Sequence, residues 1–504
     1  MGRRRVTPGE GRAVAAVPTR PQDGEWAEPV REPAAPTAVG AVAVLCPRAW
    51  GVRNVVHSGM LGQLRRQGLE ACLITSLADV ALAADEWGSE ARCVELLPAN
   101  VIASQRGLAF WNGIIHASFC RRHRVNFLRI YGRWWRRNDR PWPVARHAAT
   151  AALSLLGCHE PFYSWLIRRR DRRVRRTRDF DPIHRQLAEL RPSLLVSTNS
   201  QYFEELPYVI AARELGIPTL GCIQSFDNLT TRGILPVFDH YAVWNERMRD
   251  QVLRFYPDRD PASIHITGSP QFDFHVRPAY RWSREATLRC LGLGPRDRYV
   301  LYAPSGLPSE PDLLDAMARA FAATPLLRDH RIVVRPHPVD DPGRWERAIA
   351  RDGRLVLNWP WRVMPGLAWD APGVVRAADQ ARLVSTLAHA DVCLNTASTI
   401  SLDAAAAGTP VVCVGFAGRR GGREDELCLN AHFTTHYQPI TESGGVRLAR
   451  DMEKLVNAVA TYVRDRSQDM GARQRLVAAE CGPVDGRAAA RVADLIAALS
   501  AAGR

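Results

Sequence analysis

The stretch Asp391–Gly415, DVCLNTASTISLDAAAAGTPVVCVG, constrains the fold more than any other part of the chain. Val392–Leu394 is a short apolar run with the length of a buried strand. Ser398–Gly408 has hydroxyls at its start, four consecutive alanines and a closing glycine, which predicts a helix. Thr409–Val414 is a second buried-strand pattern with Pro410 near its start. Strand, helix and strand in about 25 residues form a βαβ unit, which needs a parallel neighbour. The junction Asn395-Thr396-Ala397-Ser398-Thr399 places hydroxyls where the first helix N–H groups are unpaired. Such a junction binds anions, or its hydroxyls simply cap the helix.

The same grammar recurs along the chain. Ala41–Cys46, Glu70–Thr75, Ser193–Thr198, Ile217–Ile223, Tyr241–Trp244 and Ile264–Thr267 read as strands of one doubly wound unit. Tyr299–Ala303, Arg331–Val334, Leu355–Asn358 and the opening stretch read as a second. A hinge is expected near 274–282. A chain of 504 residues has ample length for two such cores. The expected domains are a structureless tail over 1–38, rich in Pro, Gly, Ala and Arg, an N-terminal Rossmann-like domain over 39–275, and a C-terminal one over 276–504. The fold class is α/β, with two doubly wound domains facing a central cleft. Helices are expected near 451–465, 470–480 and 486–500, and a mobile loop over Arg419–Asp425.

The N-terminal unit carries a helical insertion over about 100–180. Tyr131, Trp134, Trp135, Trp142 and Trp165 lie there among many arginines. Arg168–Arg178 reads RRRDRRVRRTR. This run is a solvated helix face, a contact for anionic lipid, or a nucleic-acid contact. The last is disfavoured because no recognition fold accompanies it. The net charge of +15 agrees with anionic partners in general. Eleven scattered cysteines without a Cys-x-x-Cys pair predict neither a disulfide frame nor a metal site, and fit a reducing cytoplasm. No apolar segment follows Met-Gly-Arg-Arg-Arg and no run approaches the length of a membrane span. Neither a secretory leader nor a transmembrane helix is expected.

Candidate chemistry lies at the C-terminal ends of the predicted strands. Ser305 and Gly306 follow one strand, and Arg335 and His337 follow another. Ser398, Thr399 and Ser401 sit at the helix start, with Asp403 one turn further. Hydroxyls, fixed N–H groups and a cation of this kind can stabilise a departing diphosphate without metal. Across the cleft the polar loop Gln224–Gly233 offers Asp227 as a base for an acceptor hydroxyl; His57 competes for that role. Both also have ordinary readings, Asp227 as a turn residue and His57 as a helix-start residue.

The residues Tyr302-Ala-Pro-Ser305, Arg335-Pro-His-Pro338, Gly268-Ser-Pro270 and HADVCLNTASTISLDAAAAGTPVV from His389 to Val412 carry a family resemblance. The chain resembles GT-B type glycosyltransferases of bacterial surface-polysaccharide biosynthesis. It is also similar to the polyol-phosphate transferases of teichoic-acid synthesis and to the nucleotide-sugar 2-epimerases. The resemblance implies a nucleotide-sugar co-substrate, with no further cofactor, held by the C-terminal domain, and a lipid-linked or saccharide acceptor held by the N-terminal domain. It places Arg335, His337, Ser398, Thr399 and Ser401 on the donor diphosphate, with Ser305 and Gly306 beside it. The basic Arg168–Arg178 run, as a dock on anionic lipid, adds the expectation of a cytoplasmic enzyme peripheral to the inner face of the cell membrane. Polyol-phosphate transfer from a CDP-linked donor is the alternative. The phosphotransferases carry a His-Gly where this chain has Ser225-Phe226-Asp227, which weakens that alternative. The fuller acidic and histidine set of the epimerases is not placed here.

Overall fold

A computed structural model describes residues 41–502 except 83–86, 88–90, 98–105, 139–143, 202, 232, 234, 235, 339, 362–367 and 369. The expected 1–38 tail and Trp142 lie outside the described residues, as do the side chains of Trp134 and Trp135.

Seven strands build the first sheet: β1 (Val42–Leu45), β2 (Ala71–Thr75), β3 (Arg92–Glu95), β4 (Leu194–Ser197), β5 (Thr219–Cys222), β6 (His240–Val243) and β7 (Ile264–Ile266). Their order is β3-β2-β1-β4-β5-β6-β7 and every pairing is parallel. Six strands build the second: β8 (Arg298–Ala303), β9 (His330–Val334), β10 (Leu355–Leu357), β11 (Cys393–Asn395), β12 (Val411–Val414) and β13 (Arg447–Ala449). Their order is β10-β9-β8-β11-β12-β13, again all parallel. Each sheet therefore reverses its winding beside its first strand, at β1/β4 and at β8/β11. The central strands are apolar throughout because helices cover both faces; β1 and β12 are buried at every residue. The edge strands β3 and β13 were not expected. Arg92-Cys-Val-Glu and Arg447-Leu-Ala have one covered face at most and lack an apolar run.

Between β3 and β4 the chain makes the helical insertion, with helices over Arg106–Arg122, Phe127–Asn138, Val144–Leu156, Glu160–Arg175 and Phe180–Leu190. The chain also crosses back at its end. Helix Ala488–Ala502 packs beneath β1 and β4 through Ala489, Val492, Ala493 and Ile496, so the N-terminal half is completed by the last residues of the chain. Asp273 accepts hydrogen bonds from Ala488 N (3.0 Å) and Ala489 N (2.9 Å), and so caps that helix from the interdomain connection.

The Arg419–Asp425 segment is folded as a braced turn. Asp425 accepts from Ala417 N (2.9 Å) and Gly421 N (3.0 Å), and a helix starts at Arg423. Three acidic residues in that helix's first turn suit its positive end, which counting charges and glycines did not reveal.

Candidate active site

Three neighbouring strand ends of the second sheet bring the predicted donor groups together. Ser305-Gly306 follow β8, Arg335 follows β9 and Asn395 closes β11 with Ser398 just beyond it, and β8 lies between the other two. Open α/β sheets bind ligands at this reversal. The loops are cross-tied: Ser305 Oγ donates to Thr396 O at 2.8 Å. Glu310, which sequence reasoning missed, accepts from Ser305 N (2.6 Å) and Leu307 N (2.7 Å) and fixes the loop's shape. Burial pushes the Glu310 carboxyl up to about 8, against those two N–H groups and Arg344. Gly306 has φ +84°, a conformation that a side chain resists.

The turn between β11 and its helix is strained in the same sense. Ala397 has φ +44°, which costs a non-glycine residue about 1 kcal/mol or more. The helix starts at Ile400, two residues later than expected, and no side chain caps it. Ser398 Oγ and Thr399 Oγ1 make no hydrogen bond among the described residues, so the capping reading of these hydroxyls fails. Asn395 organises the turn instead. Its Oδ1 accepts from Ser398 N (3.1 Å) and Ser401 Oγ (3.0 Å).

Arg335 is 7% exposed, and its Nη1 has no acceptor among the described residues. Burial, helped by Arg382, lowers its guanidinium to about 9; Asp379 and Asp403 oppose the shift. The completely buried Asn395 Nδ2 likewise lacks an acceptor. Buried donors in that state cost stability unless something fills them. His337 is half-buried on the same loop, and burial lowers its imidazole, with Asp340 opposing.

Two predicted donor residues face elsewhere. Ser401 is fully buried, and its Oγ bonds Asn395 and Tyr437 Oη (2.6 Å). It supports the turn from behind and has no access to a ligand. Asp403 is tied to the interdomain helix Pro270–Val276: His275 Nε2 lies 3.0 Å from its Oδ1, and Gln271 Nε2 donates at 3.1 Å and 3.2 Å. Gln271 Oε1 in turn accepts from Arg53 Nη2 (2.8 Å), in the helical turn after β1. This buried chain joins both sheets and the connection between them. Burial lowers Arg53 to about 10, with Asp403 opposing. Gln271, His275 and Arg53 went unnoticed in the sequence. The Gly268-Ser-Pro signal stood beside two of them, but nothing in the pattern said which element they would meet.

The two candidate bases are separated. His57 lies in a π-helical turn, Arg53–His57, with Nε2 held by Val375 O at 2.9 Å. Burial lowers its imidazole. Close by, Arg48 binds both oxygens of Asp370 (2.9 and 2.8 Å), and Trp50 packs edge-on against Trp361. His57 therefore belongs to a contact between the halves and not to an open catalytic position. Asp227 is half-buried at the end of β5's loop, and its field acts on Tyr131 and His436. His436 comes from the opposite half. Its Nδ1 is buried without a partner among the described residues, and its ring meets Phe226 at 5.4 Å. Burial lowers His436, while Asp227 opposes that shift. Asn126 of the insertion closes this side, donating to Phe433 O (2.8 Å) and accepting from Thr435 N (2.8 Å).

A cavity of about 480 Å³ opens further along the second sheet, at the ends of β12 and β13, lined by Arg420, Arg423, Arg450 and Asp425. None of the predicted site residues lines it, and Arg420 there is already paired with Asp425 at 3.2 Å. Of the predicted site residues, Ser305, Arg335 and Ser398 lie instead at the cross-tied strand ends of β8, β9 and β11.

No protein-family model and no curated protein matches the sequence. Solved structures do match it in fold. A putative UDP-N-acetylglucosamine 2-epimerase from Listeria monocytogenes superposes with a TM-score of 0.53 at 13% identity, covering 92% of this chain and 97% of its own. The S. aureus MnaA–UDP complex gives 0.53 at 11% identity, covering 91% and 96%. The UDP-GlcNAc 2-epimerase of Neisseria meningitidis bound to UDP-GlcNAc gives 0.52 at 9%, covering 90% and 99%. At these identities the likeness establishes the architecture: two Rossmann-like domains facing one cleft, the GT-B arrangement, along nearly the whole chain.

Proposed function

We propose that the protein is an enzyme acting on a nucleotide-activated sugar, and that it transfers the sugar to a saccharide acceptor. The observation that carries this is the pair of buried donors, Arg335 Nη1 and Asn395 Nδ2, left without acceptors among the described residues at neighbouring strand ends. Beside them are the Ser398 and Thr399 hydroxyls, which make no hydrogen bond among the described residues. A diphosphate supplies the oxygens these groups lack. UDP is the first nucleotide to try, because structures of this fold hold UDP or UDP-GlcNAc.

In the transfer step the acceptor oxygen bonds to the anomeric carbon as the bond to the diphosphate breaks. The acceptor proton passes to Asp227, and the electron pair leaves on the phosphate oxygen. Arg335 and the Ser398–Thr399 turn stabilise the charge that grows there. A lipid-linked saccharide of the cell envelope, met at the inner membrane face, is the acceptor class we favour. Epimerisation is the second reading, favoured by the fold neighbours.

UDP-, GDP-, CDP- and CMP-linked donors are offered and the melting temperature followed; a ligand at a hundredfold its Kd adds about 2.7 kcal/mol. One nucleoside diphosphate sugar should raise it, and Arg335→Ala should abolish the shift. No shift with any donor would sink the proposal. Incubating the responding donor without acceptor separates the two reactions, since an epimerase alone converts it to its epimer.

A further inference from the structure

The arginine run is divided by the fold into two kinds of residue. Helix Glu160–Arg175 packs on helix Arg106–Arg122 through a buried stripe of Tyr163, Leu166, Arg170 and Val174. Arg170 belongs to that stripe, 1% exposed and paired with Asp171 at 2.7 Å. The opposite face carries Arg168, Arg169, Arg172, Arg173 and Arg176, all exposed. None of these five is ion-paired with a carboxylate among the described residues, whereas Arg175 is claimed by Glu214. Of the helix's two acids, Glu160 stands at its start paired with Arg122, and Asp171 is taken by Arg170. The exposed face from Arg168 onward therefore shows one sign, where a purely solvated face intersperses both.

The neighbouring surface is apolar. Leu155 and Leu156 close the preceding helix and are 58% and 53% exposed. The turn after them is pinned, because a Cβ on Gly157 would come within 1.9 Å of Ser118 Oγ. Along the basic helix Phe162 stacks on Trp165 (5.3 Å between centroids), and Arg169 lies 5.5 Å and 5.6 Å from the rings of Trp111 and Trp165. From its start at Glu160, beside the leucine-bearing turn, to Arg172 the basic helix rises about 18 Å at 1.5 Å per residue. Paired leucines, interfacial tryptophan and unpaired arginine together are what a bilayer interface rewards. A nucleic acid rewards the arginines but gains nothing from the leucines.

We propose that the insertion docks this protein on an anionic lipid bilayer through the outward face of helix Glu160–Arg175 together with Leu155 and Leu156. The same insertion reaches the cleft at its other side, where Asn126 binds Phe433 and Thr435 and Tyr131 lies in the field of Asp227. Docking therefore places the bilayer on the body that closes the acceptor side of the cleft.

Flotation of the full-length protein with vesicles tests this without nucleotide or acceptor, so its outcome is independent of the sugar-transfer proposal. At about 150 mM salt, phosphatidylglycerol-containing vesicles should carry the protein and pure phosphatidylcholine vesicles should not. Arg168→Gln/Arg172→Gln/Arg176→Gln should weaken partitioning by about 100-fold, roughly fivefold per arginine. Leu155→Ser/Leu156→Ser should weaken it by about tenfold. All five positions are exposed, so melting temperatures should hold, and the comparison of the two lipids needs no variant at all. Equal binding to both lipids, or to neither, overturns the proposal, as does undiminished flotation of the arginine variant. Single-stranded RNA that binds at the same salt, with an affinity the leucine change does not alter, assigns the face to nucleic acid instead.

Discussion

Arg335 is a buried cation with one nitrogen left without an acceptor among the described residues. A guanidinium with 7% exposure and an empty Nη1 is held at a cost, since burial disfavours its charge and no carboxylate is bonded to that nitrogen. Arg335→Met should therefore raise the stability of the ligand-free protein by about 1 to 3 kcal/mol while removing the melting shift with nucleotide. Ser398 makes the complementary case. A capping serine loses about 1 kcal/mol on mutation to alanine, but this hydroxyl caps nothing. Ser398→Ala should leave the denaturant midpoint unchanged and weaken nucleotide binding; a loss of stability would restore the capping reading. Arg335, Ser305 and Ser398 were legible because strand-end position follows from a linear pattern. Ser401 and Asp403 were misplaced because helix phase decides which neighbour a first-turn side chain meets, and those neighbours, Tyr437, Gln271 and His275, come from distant segments.

At the scale of elements, the interdomain helix Pro270–Val276 is the joint on which both halves converge. It caps the final helix through Asp273 and holds Asp403 through Gln271 and His275. Removing Asp403 leaves Gln271 Nε2 and His275 Nε2 buried without that acceptor, and takes a compensating charge from Arg53 and Arg335. Asp403→Ala should cost about 3 to 5 kcal/mol in urea unfolding. A smaller cost than 1 kcal/mol would mean that the halves do not depend on this link. The Gly268-Ser-Pro motif marked the joint in the sequence. Its cross-chain partners were invisible because the separation between Asp403 and His275 is 128 residues and no local pattern encodes it.

For the whole molecule, several histidines are sealed in the interior. His432 is fully buried, bonded through Nδ1 to Cys428 O at 2.8 Å, and burial lowers it to about 4. His436 and His57, at the two contacts across the cleft, are lowered in the same direction. The unfolded chain takes up these protons near pH 6.5 and the folded one only at lower pH, so the unfolded state binds more protons in between. Stability is then full above about pH 6.5 and falls as pH drops towards 4, by on the order of 3 kcal/mol for His432 alone. Unfolding midpoints measured across that range should show the fall, and His432→Asn should flatten it. A midpoint independent of pH would show that these rings are not held neutral.

By itself the sequence determined the two parallel sheets, their strand ends and the groups carried there. Burial on both faces demands apolar runs, and glycine and proline mark where those runs stop. It also announced a basic insertion. Only the tertiary structure decided which of these groups face one another. It put Asn395 under the Ser398 turn, drew Asp403 into the joint, took His57 out of contention by bonding it to Val375, and set His436 opposite Asp227. It also sorted Arg170 from the arginines around it. The physical reason is the same in each case. Strand and helix patterns are local and periodic, whereas the partner of a buried polar group is chosen by packing between segments far apart in the chain.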